Sequence, residues 1–401
     1  MKKFRKIIEK FIEAVLFSSS TITSLTVILI IIFLFKEGIG LFKSSPLEKN
    51  YVIEVSKKNP VKELNATQLK AIFNQDITNW SLVGGNNDSI ILFTTSNITD
   101  YYSEEELGSN LEHLNEKMGE FIIQHPNAIM YISSKSLPVG FGGHNVKVKD
   151  ISVNDFIFGK QWYPTSEPIP SYGIWPMIIG TLMVTLGALL IAIPLGISTA
   201  IFMAEVAHIR IRNVLKPVIE LLSGIPSVVF GFFGLIIIVP MIQQTFHLVV
   251  GETVLAGSII LGIMALPTII TITEDALRTT PQSLKEASLA LGATRWQTLV
   301  RVVIPYSKSG ISTAIILGIG RAIGETMAVL MVTGNASNIP HSFLVPTRTI
   351  PATIAAELGE VSYGGLHFKA LFALGIVLFL FTIIINLTVE FVKNSGKRSR
   401  A

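Results

Sequence analysis

Six long apolar runs divide the chain, and polar segments of very different length separate them. Each run holds about 19 to 30 residues, and an α-helix needs roughly 20 apolar residues to cross the hydrocarbon core of a bilayer. The pattern therefore predicts an all-α polytopic membrane protein with six transmembrane helices. The predicted spans cover residues 17–35, 175–204, 218–243, 253–273, 311–334 and 370–392.

The first run follows a basic start, which is also a feature of secretory signal peptides. The run is longer than the apolar centre of a signal peptide, and no small-residue cleavage site follows it. We therefore expect an uncleaved helix, with residues 1–36 forming a cytoplasmic N-terminus and the first span. The basic residues ahead of it are Lys2, Lys3, Arg5, Lys6 and Lys10.

Residues 37–172 interrupt the apolar pattern with a long hydrophilic insertion. Strand-like runs occur at 51–55, 89–93 and 128–132. Helix-like stretches lie between them. This alternation predicts a small α/β domain outside the bilayer.

The composition agrees with a membrane protein and excludes some classes of site. Only 15% of the 401 residues are charged and 49% are hydrophobic, whereas about a quarter of a soluble domain is charged. The absence of cysteine excludes disulfides and thiolate metal sites. The net charge is +4, yet residues 43–170 carry 11 Lys, no Arg and 15 acidic residues. Such asymmetry reports membrane topology rather than nucleic-acid binding.

Basic residues mark alternate loops, as the positive-inside rule requires. The loops at 205–217 and 274–310 are basic, 244–252 has no Lys or Arg, and 335–369, with two basic residues, is a mild exception. The rule predicts that both termini, including the basic tail 394–401, are cytoplasmic and that the insertion is outside. The basic residues of the inner loops and tail are Arg210, Arg212, Lys216, Arg278, Lys285, Arg295, Arg301, Lys308, Lys393, Lys397, Arg398 and Arg400.

The loop at 274–310 has the signals of a compact helix–turn–helix. Thr280 is an expected N-cap, with Pro281 at the first helical position. Gly292 suits a left-handed C-terminal turn. A second helix can start at Thr294, which has capping-box spacing, and Pro305 is expected to stop it.

This loop resembles the EAA loop of permease subunits of ABC importers. The family pattern is Glu-Ala-Ala, three residues, Gly, nine residues, Ile, one residue, Leu-Pro. The resemblance implies that Glu286, Ala287, Gly292 and Pro305 belong to a coupling loop that docks in a groove of an ATPase subunit. The alternative is an ordinary amphipathic loop between two membrane helices. The matching residues are Glu286-Ala287-Ser288, Gly292, Val302 and Ile304-Pro305.

Two charged residues, Arg321 and Glu325, lie inside the fifth apolar run. An unpaired charge near the bilayer centre costs from about 2.5 to above 10 kcal/mol. Their i,i+4 spacing predicts an ion pair on one helix face. This pair is either a structural lock between helices or a site in the translocation path, where Arg321 would donate to an oxyanion.

The run around these charges is similar to the larger permease subunit of phosphate ABC importers, and the similarity extends over about residues 150–392. It implies a type I ABC importer fold over 173–393, phosphate passage at Arg321 and Glu325, and a helix break at Gly224 and Pro226. The matching segments are Gly318-Ile319-Gly320-Arg321-Ala322-Ile323-Gly324-Glu325-Thr326-Met327-Ala328, Glu220 through Gly234, and Trp162-Tyr163-Pro164.

Part of the insertion resembles phosphate-binding periplasmic proteins. Their Gly-Ser-Gly-Thr stretch, which holds phosphate at a helix start, is replaced here by Thr94-Thr95-Ser96-Asn97. We therefore expect a degenerate lobe that either contacts the true binding protein or is an external cap. The matching segments are Asn59-Pro60-Val61-Lys62-Glu63-Leu64, Leu69-Lys70-Ala71-Ile72-Phe73, Ile77-Thr78-Asn79-Trp80, Gly84-Gly85 and Pro126-Asn127-Ala128-Ile129-Met130-Tyr131-Ile132.

The chain contains no Gly-x4-Gly-Lys-[Ser/Thr] phosphate loop and no His-Glu-x-x-His metal motif. We expect no catalytic residue, metal or cofactor in this chain, and ATP on a partner. The resemblance implies a second permease, two ATPase subunits and an extracytoplasmic phosphate-binding protein as partners in a prokaryotic inner membrane, without nucleic acid. The alternatives are a permease for molybdate, sulfate or phosphonate, and a phosphate sensor that reads ligand through the external lobe.

Overall fold

The computed structural model describes residues 2–47, 50–94, 97–108, 112–137 and 140–398. Thr95, Ser96 and Arg400, which entered the sequence predictions, lie outside these residues. The chain forms two compact units, which are described separately. One is the membrane unit, Met1–Gly38 with Ile174–Ala401, and the other is the lobe, Ile39–Gly173.

A long first helix, α1 (Lys2–Gly40), precedes the lobe, and the predicted α/β character of the lobe is confirmed. Its main sheet has the order β3-β4-β1-β5, with β3 parallel to β4 and the other pairs antiparallel. Two-stranded sheets join β2 to β6 and β7 to β8. The elements are β1 (Tyr51–Ser56), β2 (Glu63–Leu64), α2 (Ala66–Phe73), β3 (Ile91–Thr94), α3 (Glu104–Leu107), α4 (Leu114–Gln124), β4 (Ala128–Ser133), β5 (Gly143–Asn145), β6 (Lys147–Val148), α5 (Val153–Phe158), β7 (Trp162–Tyr163) and β8 (Ser171–Tyr172).

Strand β4 is buried on both faces, so the lobe has a core on each side of its sheet. Ile129 and Tyr131 pack with Trp80 on one side, whereas Met130 packs with Phe121 on the other. Successive side chains of a strand point to opposite faces, so a continuous apolar strand serves both cores.

Among the described residues, six helices are long and apolar enough to cross a bilayer, which confirms the predicted number of spans. In the same residues, three π turns interrupt helices, at Phe202–Val206, Gly234–Ile238 and Leu299–Val303. The helices after the lobe are α6 (Trp175–Ile201), α7 (Ile209–Ser223), α8 (Ser227–Phe233), α9 (Val239–Thr245), α10 (Val254–Arg278), α11 (Gln282–Ala290), α12 (Arg295–Thr298), α13 (Ile304–Ile323), α14 (Met327–Val332), α15 (Ile350–Glu357) and α16 (Leu366–Arg398).

The third and fifth spans differ most in their register from the predicted boundaries. Residues 218–223 belong to α7, and the third span is Ser227–Thr245. The fifth span is one helical stretch, Arg295–Ile323, and it passes through Pro305 instead of stopping there. In the π turn before Pro305, the Ile304 N–H donates to Leu299 O five residues back. This wider turn gives the proline ring room that a regular α-turn lacks.

Glycines allow close approach between α10 and its neighbours. A Cβ at Gly187 of α6 would lie 2.3 Å from Ser258 Oγ, and one at Gly318 of α13 would lie 2.8 Å from Ile269 Cγ1. Within lipid, no hydrophobic driving force brings helices together. Small residues favour their association because they let the backbones pack closely. Helix α10 therefore forms the centre of the membrane unit.

A buried carboxylate ties α7 to the C-terminal end of α10. Glu274 is fully buried, and its oxygens lie 2.8 Å from Arg212 Nε, 3.0 Å from Lys216 Nζ and 3.6 Å from Arg278 Nη1. Burial lowers the pKa of Lys216, but hydrogen bonds and the charges of Glu274 and Asp275 outweigh that effect and raise it overall. Lys216 thus stays charged beside this carboxylate.

Replacement of this carboxylate will destabilise the membrane unit. Glu274→Gln leaves the partly buried Arg212 and Lys216 without the buried carboxylate they pair with, and the free energy of unfolding should fall by about 3 kcal/mol. Equilibrium unfolding of the full chain in mixed detergent micelles measures the change. The control is Asp275→Asn on the exposed neighbouring carboxylate, for which a change within about 1 kcal/mol is expected. Equal losses in the two variants would contradict this account.

The lobe should lose stability as the pH rises, because of Glu54. Burial in β1 raises the pKa of Glu54 above 4.5, while an Asn145 hydrogen bond and His144 offset part of the rise. A raised pKa favours the protonated folded state, so the free energy of unfolding falls as the pH passes upward through the folded pKa. Glu54→Gln should slow hydrogen exchange of β1 and β4 in the full chain near neutral pH and change it little near pH 4. Equal exchange rates in Glu54→Gln and in the unsubstituted chain near neutral pH would contradict the prediction.

Candidate functional site

The interhelical segment, residues 279–294, connects α10 to the fifth span and carries three of the four predicted coupling residues, Glu286, Ala287 and Gly292. Helix α11 ends at Ala290, and Gly292, two residues later, has a φ of 82°, the left-handed conformation expected from the sequence. Gly292 N–H donates to Leu289 O and Ala293 N–H to Ser288 O, which forms a Schellman turn. Thr294 and Gln297 form the predicted capping box at the start of α12.

The start of α11 differs from the prediction. Pro281, not Thr280, occupies the N-cap position, and no side chain caps the helix. Thr280 is buried, and its Oγ1 lies 3.1 Å from Ser307 Oγ on α13. The hydroxyl therefore bonds to another helix instead of capping its own.

Side-chain contacts fix α11 against neighbouring elements. Lys285 Nζ lies 2.6 Å from Glu205 Oε1 in the π turn after α6, and both side chains are largely buried. Ser288 Oγ lies 3.0 Å from Thr298 Oγ1. Ser288 stands where the family pattern Glu-Ala-Ala has its second Ala. Its hydroxyl forms a hydrogen bond that an alanine could not form. Movement of α11 would thus be transmitted to the second span through Glu205 and to the fifth span through Thr298.

Four apolar residues on and beside the interhelical segment are exposed, Leu284, Leu289, Leu291 and Trp296, and we name them together the apolar docking face. Leu291 is 89% exposed and Trp296 is 70% exposed. Glu286 and Ala287 are exposed on the same helix. Exposed apolar residues among polar ones are typical of a protein interaction site. Pro305 lies away from this face, in the first turn of α13.

The third span begins at a break in the helix. Gly224 follows the end of α7, and Pro226 is extended, with φ −59° and ψ 142°, at the N-cap of α8. Ile225 N–H donates to Leu222 O across the break. Helix α8 then presents exposed apolar side chains, including Phe232 and Phe233.

The structure places Arg321 and Glu325 on either side of a second break, and the predicted ion pair between them is wrong. Helix α13 ends at Ile323, because Gly324 forms its C-cap and Glu325 follows the helix. No ion pair joins the two side chains in the described part of the chain. The i,i+4 geometry that predicted the pair does not continue beyond the helix end.

Each charge has its own polar partners instead. Arg321 Nη1 donates to Thr268 Oγ1 of α10 at 3.2 Å. Glu325 Oε1 accepts from the N–H of Thr326 at 3.2 Å and of Ala328 at 3.5 Å, at the start of α14. A guanidinium has five N–H donors, so Arg321 retains capacity to bind an oxyanion.

A small cavity of about 10 Å³ lies beside Glu325, and most of the residues that line it are apolar. Thr181, Thr185 and Thr349 contribute to its lining, and Thr349 Oγ1 is buried without a hydrogen-bond partner. The sequence prediction missed these threonines and Thr268. The four-residue spacing of Thr181 and Thr185 within an apolar run was the available signal. Among the described residues, no group of three or more His, Cys, Asp or Glu side chains is placed to hold a metal ion.

Comparisons with known proteins agree with this architecture. The profile of the family described as binding-protein-dependent transport system inner membrane component matches residues 192–395. A probable ABC transporter permease protein of Bacillus subtilis is 40% identical over 287 residues, which cover 71% of this chain and 93% of that protein. A phosphate transport system permease protein of Mesorhizobium japonicum is 40% identical over 249 residues, covering 57% of this chain and 75% of that protein.

Among solved structures, a methionine ABC transporter in an inward-facing conformation is 18% identical, covers 56% of this chain and 94% of that chain, and has a TM-score of 0.43. The family match and the curated relatives confirm the resemblance to ABC importer permeases. The chain belongs to the family of binding-protein-dependent transport system inner membrane components, and it is a multi-pass permease of an ABC importer.

Proposed function

We propose that this chain is one of two permeases of an ATP-driven phosphate importer and that phosphate passes Arg321 and Glu325. The observation that carries the proposal is the Arg321 guanidinium within the fifth span, held by Thr268 directly before a helix break. The phosphate permease relatives support the choice of substrate. A guanidinium offers the forked donors that suit phosphate oxygens.

Glu325 has a complementary role in this proposal. Its carboxylate is held by the N–H groups of Thr326 and Ala328, so it remains near Arg321 without neutralising the guanidinium in a direct pair. The negative charge weakens the binding of an anion at Arg321. A transport site needs such weakening, because the substrate must leave as well as enter.

The fifth span provides the mechanical connection to ATP hydrolysis. Its 29 residues, Arg295–Ile323, extend about 43 Å without leaving a helical conformation. The apolar docking face flanks one end, and Arg321 lies near the other. In the proposed mechanism, two separate ATPase subunits bind the docking faces of this chain and of a second permease. Their closure moves the spans and alternates access to Arg321.

The proposed topology places both termini and the interhelical segment in the cytoplasm, where ATP is available. It is supported by the basic residues of the inner loops. The lobe then lies outside, where it meets the phosphate-binding protein that delivers substrate. No phosphate is required to bind tightly to the lobe itself.

Loss of the guanidinium should abolish phosphate uptake. Arg321→Ala removes the anion donor, and uptake of radiolabelled phosphate by the reconstituted importer should fall at least about a hundredfold. Lys308→Ala is the matched control, because it removes an exposed positive charge from the same helix, and it should keep near-normal uptake. Normal uptake by Arg321→Ala would refute the assignment. Stronger competition by molybdate, sulfate or phosphonate than by unlabelled phosphate would reassign the substrate.

A charge within the docking face should weaken ATPase binding and reduce the stimulation of ATP hydrolysis by phosphate. Leu291→Glu places a carboxylate within the docking face without disturbing packed residues, since Leu291 is 89% exposed. Co-purification of the ATPase and phosphate-stimulated ATP hydrolysis should both fall by about tenfold or more. Tyr363→Glu is the control, at a 78% exposed position between α15 and α16, and it should leave both unchanged. Retained ATPase binding by Leu291→Glu would contradict the docking proposal.

A further inference from the structure

A cavity of about 540 Å³ lies where α7, α10 and α11 meet. Its wall includes the end of α10, the first residues of α11 and the start of α7. It is separate from the break that carries Arg321 and Glu325. The translocation proposal does not use it.

The charged side chains that line this cavity are all cationic. They are Arg212, Arg278 and Lys285. Their carboxylate partners, Glu274 and Glu205, do not line it. The ion pairs therefore fix the cations from outside the cavity lining. The lining itself presents positive charge and N–H donors.

The N-terminus of α11 adds to the same field. Pro281 and Gln282 line the cavity, and no side chain caps the helix there. An uncapped helix N-terminus carries partial positive charge and attracts anions. Three side-chain cations and a helix end thus converge on one cavity without an acidic lining residue.

We propose that this cavity binds a phosphate group, carried either by an anionic phospholipid or by free inorganic phosphate. Arg212 and Arg278 have the planar donors that suit phosphate oxygens, and Lys285 adds a third cation. The cavity is at the ends of the spans Trp175–Val206 and Val254–Arg278, where lipid headgroups lie. Its volume also leaves space for a free anion with water.

Occupancy would affect the position of the interhelical segment. Arg278 is on α10 and Lys285 is on α11, so a phosphate group between them would bridge a membrane helix to the element that bears the docking face. Bound phosphate would hold α11 near the ends of the spans. The site is therefore placed to regulate the importer and not to conduct substrate.

Two variants test the site by different means. Arg278→Gln removes one lining cation, while Arg212 and Lys216 remain beside Glu274. Gln282→Glu adds an acidic group to the lining at the first residue of α11, where a negative charge favours the helix. Arg210→Gln is the matched control, because it removes an exposed cation of α7 that does not line the cavity.

The measurements use the full chain carrying Arg321→Ala, so that the proposed translocation site does not contribute. Calorimetric titration with inorganic phosphate, in nanodiscs of phosphatidylcholine, reports the free anion. Native mass spectrometry with phosphatidylglycerol against phosphatidylcholine reports the lipid headgroup. In the arm that detects binding, Arg278→Gln and Gln282→Glu should each weaken it about tenfold or more, and Arg210→Gln less than about twofold.

Each outcome decides the proposal. Weakening in the phosphate arm identifies the free anion, and weakening in the phosphatidylglycerol arm identifies the headgroup. Absence of binding in both arms, or equal binding by all variants, overturns the inference. Because Arg321 is already replaced, this result would leave the proposed transport function unaffected, just as failed uptake by other Arg321 variants would not bear on the cavity.

Discussion

A charge that leaves water must be accompanied by its partners, and this requirement accounts for the placement of polar groups throughout the membrane unit. Glu274 is buried only because cations from α7 and α10 surround it. Lys285 approaches the end of a span together with Glu205. Arg321 bonds to Thr268, and Glu325 takes the free N–H groups of α14. The contacts that satisfy these charges also join helices to one another. The charged residues therefore connect the helices mechanically as well.

The number of spans could be predicted from the sequence, since it depends only on the length of apolar runs. The boundaries of the spans could not be predicted, because two features of the folded chain override the signals of the local sequence. Pro305 is a helix breaker in isolation, yet the π turn before it keeps the helix continuous. Gly224 and Pro226 were expected to break a helix, but the sequence did not place residues 218–223 on the earlier side. In the lobe, alternation identified strands, whereas the order β3-β4-β1-β5 arises from long-range pairing that periodicity does not contain.

The candidate site was predictable in its residues but not in its contacts. Arg321 and Glu325 stand out because charges are rare in apolar runs, and Gly292 because its turn requires a positive φ. Their pairing could not be judged, since the apolar run continues past Gly324 and gives no sign that α13 ends between the two charges. Thr268 and Thr349 were missed because threonine is common in membrane helices and bonds its own backbone in most of them. Thr280 shows the opposite error, since an apparent cap is used between helices.

The π turn at Leu299–Val303 also sets the rotation of the fifth span about its own helix axis. Each residue of an α-helix advances about 100° around the axis, and a π turn accommodates one residue beyond the regular count. The direction in which Arg321 points, relative to Trp296 at the other end, therefore depends on this single surplus residue. A chain lacking it would form a straighter helix whose guanidinium faced roughly a quarter-turn away from Thr268. An irregularity 18 to 22 positions before Arg321 thus sets the direction in which its guanidinium points.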